Sequence, residues 1–108
     1  MIDLKTCQLA GVEALMRWRK PDDSFVSPGH FIPLAEYTGM IVELGRFALE
    51  TSLADQVQFV DAFKQSFPGA RLPFMSTNVS GLQLSDLEEI DRIAEIIHRS
   101  GVDLTQVK

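Results

Sequence analysis

The stretch that decides the fold is Gly11-Val12-Glu13-Ala14-Leu15-Met16-Arg17-Trp18, a short apolar run that contains one acid and one base. Read as a β-strand it alternates, so that Glu13, Leu15 and Arg17 share one face. Same-face neighbours lie roughly 6.5 Å apart, which places Glu13 about 13 Å from Arg17, too far for a salt bridge. The spacing suits a carboxylate that holds a metal ion and a guanidinium that holds a phosphate of one extended ligand. By spacing alone the better interpretation is an edge strand whose polar face meets water.

Size and composition describe a single globular unit. The 108 residues are one domain or part of one, with 45% hydrophobic and 23% charged residues. No run is long and apolar enough for a membrane segment, and no signal peptide is evident, so we expect a cytoplasmic protein. The single cysteine, Cys7, cannot form an internal disulfide, which fits a reducing compartment. A net charge of −5 argues against binding to a nucleic-acid polymer.

Local patterns predict strands and helices in alternation. Ser27-Pro28 is a helix start, with serine at the N-cap and proline at the first helical position, and Gly39 can close that helix. Apolar residues at three- and four-residue steps predict a helix from Ile41 to about Phe67, in which Gly45 permits close packing. The other expected elements are a hairpin of Ile2–Leu4 with the strand Gln8–Trp18, a loop over Arg19–Ser24 and a strand over Arg71–Val79.

The last part of the chain predicts one more helix and the start of a strand. Ser85-Asp86-Leu87-Glu88 fits a capping box with serine as the N-cap, and Ser100-Gly101 ends the helix. Its acidic side chains are expected on a solvated face; they are Glu88, Glu89, Asp91 and Glu95. Val102–Leu104 then heads toward another strand. Such alternation is typical of βαβ units, which build parallel sheets covered by helices.

Three blocks of the sequence carry a family signature. Glu13-Ala14-Leu15-Met16-Arg17-Trp18 is similar to an E-x-L-x-R segment, and Asp3–Thr6 and Ser27–Glu36 flank it. Ser76-Thr77-Asn78-Val79-Ser80-Gly81-Leu82-Gln83-Leu84 is similar to an S-V-N-L-S-x-R-Q-L strand end. In this order and spacing the blocks resemble the EAL family of cyclic di-GMP phosphodiesterases, over nearly the whole chain.

This resemblance implies an α/β chain with a partial (β/α)8 TIM-barrel-like EAL fold. EAL domains are about twice this length, so residues 1–108 are expected to be the N-terminal half of one, an incomplete barrel. The family's upstream Q-P-I segment and its later E-I-T-E and D-D-F-G-T-G strands do not occur here. Leu82 stands where the family usually has arginine. GGDEF or sensor domains are expected in the parent protein.

The resemblance also implies site residues. Glu13 and Asn78 correspond to two of the family's ligands for Mg²⁺ or Mn²⁺, which favour oxygen donors. Arg17 corresponds to a phosphate contact, and Leu15 would line the guanine side of the pocket. From the residues alone, Asn78 can instead cap the turn that follows its strand.

Two further residues are candidates for support of that site. Ser80 can orient the turn after Asn78 or the ligand shell. Glu36 lies near the end of a helix, where an acid is unfavourable beside the helix dipole. It therefore has either a structural partner or a functional role, and the sequence leaves both open.

Two functions follow from the resemblance. In the first, the chain is a piece of an enzyme that hydrolyses one phosphodiester bond of cyclic di-GMP to linear pGpG, with divalent metal ions that offset the charge of a dianionic ligand. The isolated chain is expected to be inactive, since further acidic ligands lie outside it. In the second, the chain is a degenerate or truncated EAL module without catalysis, which binds a partner or associates with itself. Uncovered sheet edges and apolar surface predict a homo-oligomer in either case.

Overall fold

The computed structural model describes residues 1–108. Seven elements follow one another: β1 (Gly11–Ala14), β2 (Trp18–Arg19), β3 (Phe25–Val26), α1 (Pro28–Thr38), α2 (Ile41–Ser66), β4 (Phe74–Thr77) and α3 (Leu87–Ser100). Two 3₁₀ turns, Gln83–Ser85 and Leu104–Gln106, flank α3. β1 and β4 pair in parallel, with Glu13 opposite Ser76. This order confirms the predicted α/β class with a parallel sheet.

The first two helices follow the sequence closely. α1 begins at Pro28, and Gly39 closes it with a φ of 79°, a left-handed conformation that glycine adopts without strain. α2 covers the 26 residues Ile41–Ser66, which confirms the long helix predicted from periodicity. Gly45 lies directly against the buried side chain of Gln83, so a Cβ at this position would overlap the amide. The prediction that Gly45 permits close packing is confirmed.

The strands are shorter than predicted. The expected strand Gln8–Trp18 is wrong as a single element, because the chain leaves the parallel sheet after Ala14 and Trp18–Arg19 pairs instead with Phe25–Val26. Alternation therefore does not continue to Arg17. The predicted loop after residue 19 is the turn between these two short strands. The N-terminal hairpin is reduced to one antiparallel bridge between Ile2 and Leu9.

The second parallel strand is also shorter than predicted. Of the expected strand Arg71–Val79, only Phe74–Thr77 is extended and paired. Pro73 precedes it and has no N–H to donate, which limits pairing at that end. At the other end the chain turns away after Asn78.

The start of α3 corrects two predictions. Its N-cap is Asp86, whose Oδ1 accepts a hydrogen bond from the Glu88 N–H at 2.9 Å, whereas Ser85 belongs to the preceding 3₁₀ turn. The predicted capping box is therefore wrong by one residue. Glu89 is not on a solvated face: its side chain is 2% exposed and forms a bidentate ion pair with Arg46 of α2. Hydrogen bonds from Arg46 hold the pKa of the Glu89 carboxyl below its usual range, against the opposing effect of burial.

The segment Val102–Leu104 leads toward the sheet, as predicted, and is not itself a strand. Leu104–Gln106 is a 3₁₀ turn, and the sheet resumes at Val107, which forms a parallel bridge with Met75. The Thr77 N–H donates to the Lys108 carbonyl at 2.8 Å, and the Lys108 N–H donates to the Met75 carbonyl at 2.9 Å. β4 is thus the middle of three parallel segments.

The core lies where α2 covers the sheet and meets α1 and α3. Its buried apolar residues are Phe31, Ala35, Ile41, Leu49, Leu53 and Met75. Many large apolar side chains remain at the surface, among them Leu4, Phe25, Tyr37 and Phe47. None of the helices combines the length and apolar character needed to cross a bilayer.

Candidate functional site

The carboxyl ends of β1 and β4 bring two predicted ligands together. Ser76 lies opposite Glu13 in the parallel register, and Asn78 follows two residues later on the same face. The Asn78 amide Nδ2 donates a hydrogen bond to Glu13 Oε1 at 2.9 Å, although 65 residues separate the two in sequence. Both side chains are exposed. One small ion can therefore reach both of them.

The chemistry of this pair fits a hard divalent cation. Carboxylate and amide oxygens are the donors that Mg²⁺ and Mn²⁺ prefer, and Asn78 presents its oxygen to an ion once its amide is flipped. Residues 1–108 contain no group of three or more His, Cys, Asp or Glu side chains that could hold a metal ion. Glu13 and Asn78 thus offer two oxygen donors, fewer than such a cation requires by itself.

A cleft of about 460 Å³ adjoins the pair, and Leu15, Arg17 and Asn78 all line it. The Leu15 side chain is 53% exposed. Arg17 donates through Nη1 to the neighbouring Met16 carbonyl at 2.9 Å and has no carboxylate within ion-pair distance. Most of its guanidinium donors are therefore open to an anionic ligand in the cleft.

The loop after Asn78 is held from two sides. The Ser80 hydroxyl donates to Glu36 Oε1 at 3.0 Å, which ties the loop to the end of α1. The Ser80 N–H donates to Gln83 Oε1 at 3.2 Å, and Gln83 is only 2% exposed beneath Gly45. Glu36 and Ser80 also line the cleft. Glu36 therefore has a structural partner, Ser80, and its position at the cleft also allows contact with a ligand.

Sequence reasoning missed three polar residues beneath this edge. Ser52 and Gln56 of α2 are 4% and 1% exposed, and Gln83 is equally buried. Ser52 and Gln56 fall on the same helical stripe as Leu49 and Leu53, so polar residues within an apolar stripe were the available signal. Gln83 gave no signal beyond its place in the strand-end motif.

A parallel pair of strands covered by helices, as formed by β1 and β4, is a unit from which (β/α)8 barrels are built. The EAL domain family matches residues 1–108. The chain belongs to the EAL-domain family, which confirms the resemblance in its sequence.

Individual relatives agree with this assignment. The chain is 32% identical over 108 residues to the cyclic di-GMP phosphodiesterase PA2567 of Pseudomonas aeruginosa, covering 99% of this chain and 17% of that protein. The solved PaMucR phosphodiesterase in complex with cyclic di-GMP superposes with a TM-score of 0.78 at 29% identity, covering 93% of this chain and 38% of that one. The EAL enzyme Bd1971 in its cAMP-bound form superposes with a TM-score of 0.85 at 25% identity, covering 98% of this chain and 29% of that one. The chain thus spans a small part of each relative.

Proposed function

We propose that this chain supplies part of the metal and substrate site of a cyclic di-GMP phosphodiesterase. The proposal rests on the 2.9 Å contact between Glu13 and Asn78 at the carboxyl ends of adjacent parallel strands. In barrels of this type, functional groups of successive strands converge at that edge. The substrate class comes from family membership and from relatives named for cyclic di-GMP.

Each residue has one proposed role. Glu13 and Asn78 hold Mg²⁺ or Mn²⁺, Arg17 contacts a phosphate through its planar fork, and Leu15 packs on the guanine side. The ions, when bound, supply an activated water and offset charge on the phosphoryl oxygens. Ser80 and Glu36 keep the loop after Asn78 in place. The reaction is hydrolysis of one phosphodiester bond, which yields linear pGpG.

The charge balance supports a metal-dependent site. Cyclic di-GMP is a dianion and the chain carries a net charge of −5, so cations are needed to bring the two together. Arg17 alone provides one positive charge at the cleft. Removal of divalent metal with a chelator is therefore expected to abolish cyclic di-GMP binding at this site.

Residues 1–108 are proposed to be the N-terminal half of an EAL domain that does not hydrolyse cyclic di-GMP by itself. Two protein ligands leave most of an octahedral Mg²⁺ shell to other groups, and no cluster of three or more His, Cys, Asp or Glu side chains occurs in residues 1–108. Location in the cytoplasm, with GGDEF or sensor domains in the parent protein, belongs to the same proposal.

The test of the metal site is a Mn²⁺ titration followed by NMR. Paramagnetic broadening is expected first at the Asn78 side chain and the Glu13 backbone, and it should be lost in Glu13→Gln and Asn78→Ala. Asp22→Asn, in an exposed turn, is the matched control and should keep the broadening. Equal broadening in Glu13→Gln would contradict the assignment. Formation of pGpG by this chain with Mn²⁺, lost in Glu13→Ala, would contradict the proposed inactivity.

The alternative function, a non-catalytic module that associates with itself, is favoured by a separate observation. Large apolar side chains such as Tyr37, Phe47 and Phe25 are 90%, 64% and 62% exposed, and β1 pairs on one side only. Such surfaces and edges associate with other chains. Sedimentation at micromolar concentration is expected to show a homodimer or larger assembly. A single monomeric species would contradict self-association of this chain.

A further inference from the structure

The face of α2 that meets the sheet contains two buried polar side chains. Ser52 and Gln56 are 4% and 1% exposed and stand one helical turn apart, so they point in the same direction. A polar side chain at such a position destabilises the fold unless it has a hydrogen-bond partner. The partners of Ser52 and Gln56 therefore indicate what these two residues do.

Their partners belong to successive segments of the sheet. The Ser52 hydroxyl donates to the Leu49 carbonyl at 3.0 Å and lies 3.0 Å from Thr77 Oγ1. This second contact joins the helix to Thr77 at the end of β4, and either hydroxyl can be its donor. Gln56 Nε2 donates to the Gln106 carbonyl at 2.8 Å, immediately before the strand segment that begins at Val107.

One helix face thus holds both β4 and the segment 107–108 that pairs with it. Val107 bridges Met75, the Thr77 N–H donates to the Lys108 carbonyl, and the Lys108 N–H donates to the Met75 carbonyl. A slip of the segment by one residue would move the Gln106 carbonyl by about 3.3 Å and turn every following side chain to the opposite face of the sheet. Such a slip breaks the bond from Gln56.

We infer that Ser52 and Gln56 are positioning residues that set the stagger of the segment 107–108 against β4. Thr77 immediately precedes Asn78, so this stagger sets where the segment lies along β4 relative to the edge formed by Glu13 and Asn78. Its importance for the site rests on the proposed function. The stagger itself can be measured without metal or nucleotide.

Gln56 offers a mild substitution. Its Oε1 is buried and has no hydrogen-bond partner, so the side chain makes only the bond to Gln106. Gln56→Met keeps the length of the side chain, removes that bond and also removes the unpartnered oxygen. We therefore expect a local loosening of the segment 107–108 with little change in the stability of the whole chain.

The experiment is amide hydrogen exchange by NMR on the full chain, together with backbone NOEs between Met75 and Val107. In Gln56→Met, exchange at Thr77 and Lys108 is expected to accelerate about tenfold or more, with a weaker Met75–Val107 NOE, while amides of α3 are unchanged. Gln58→Met, at an exposed position of the same helix, is the matched control and should behave like the unmodified chain. Unchanged exchange at Thr77 and Lys108, or equal acceleration at all amides, would overturn the inference.

Ser52→Ala keeps the inference testable if Gln56→Met does not fold. It removes the bond to Thr77, and exchange at Thr77 should accelerate more than at β1; equal exchange rates would overturn the inference. Mn²⁺ broadening at Asn78 is expected to persist in Gln56→Met, because Glu13 and Asn78 are held by the β1–β4 pair. Mn²⁺ broadening thus reports on the metal site and amide exchange reports on the stagger, so the failure of one proposal can be distinguished from the failure of the other.

Discussion

Replacement of Gly45 by alanine tests whether the loop after Asn78 is held through Gln83. In most helices the replacement of glycine by alanine raises the free energy of unfolding by up to about 1 kcal/mol, because alanine has the higher helix propensity. At Gly45 the added Cβ would overlap the buried Gln83 amide. Gly45→Ala is therefore expected to destabilise the chain, whereas the same substitution stabilises most helices.

The magnitude follows from three contributions. Overpacking of a well-packed position costs about 1–3 kcal/mol. Displacement of Gln83 also loses its bond to the Ser80 N–H, which contributes roughly 0.5–1.5 kcal/mol. Against these stands the gain in helix propensity of up to about 1 kcal/mol. Gly45→Ala is thus expected to lower the free energy of unfolding by about 0.5–3.5 kcal/mol, and Tm by roughly 2–18 °C for a chain of this size.

The assay is urea and thermal unfolding followed by circular dichroism, with Gly29→Ala as the matched control. Gly29 lies in the first turn of α1, where an added Cβ meets only the Ser27 hydroxyl oxygen at 3.7 Å, an ordinary contact. Gly29→Ala should leave stability unchanged or raise it. In a double-mutant cycle, Gln83→Ala should remove most of the cost of Gly45→Ala. If Gly45→Ala were as stable as Gly29→Ala, the proposed contact between α2 and the loop would be refuted.

Three further outcomes are expected. Leu53→Ala, at a side chain only 2% exposed, should destabilise the chain by about 2–5 kcal/mol in urea unfolding, and a cost below about 1 kcal/mol would contradict its place in the core. Because the pKa of Glu89 is lowered by hydrogen bonds from Arg46, its contribution to stability is present above the unfolded carboxyl pKa of 4.5 and is lost as pH falls through the lower folded value. The difference in unfolding free energy between the unmodified chain and Glu89→Gln should therefore shrink from about pH 6 to about pH 3; a constant difference would refute the pairing. Arg17→Ala should weaken cyclic di-GMP binding in calorimetry about tenfold or more without affecting Mn²⁺ broadening at Asn78, whereas Arg19→Ala, an exposed neighbour, should bind as the unmodified chain does.

Much of the framework was predictable because it depends on neighbours in sequence. The periodicity of α2 and the glycine that closes α1 are local signals, and both are confirmed. The E-x-L-x-R and strand-end blocks were sufficient to recognise the EAL family. The same blocks placed Glu13 and Asn78 on successive strands, from which their meeting at one edge was inferred.

Other features depended on partners far away in the chain. Glu89 reads as a solvated helix residue until Arg46, 43 positions earlier, is placed beside it. The strand through Arg17 is interrupted because Trp18–Arg19 finds a different partner from Gly11–Ala14. Neither choice is encoded in local spacing.

The sequence by itself determined the family, the helices and the residue types available at the site, since these follow from short-range periodicity and motif. Only the tertiary structure decided strand lengths, the burial of Glu89 and the stagger held by Gln56. Hydrogen bonds and packing between segments 25 to 65 residues apart select these features. The energies of such contacts exist only once the chain has folded and brought both partners together.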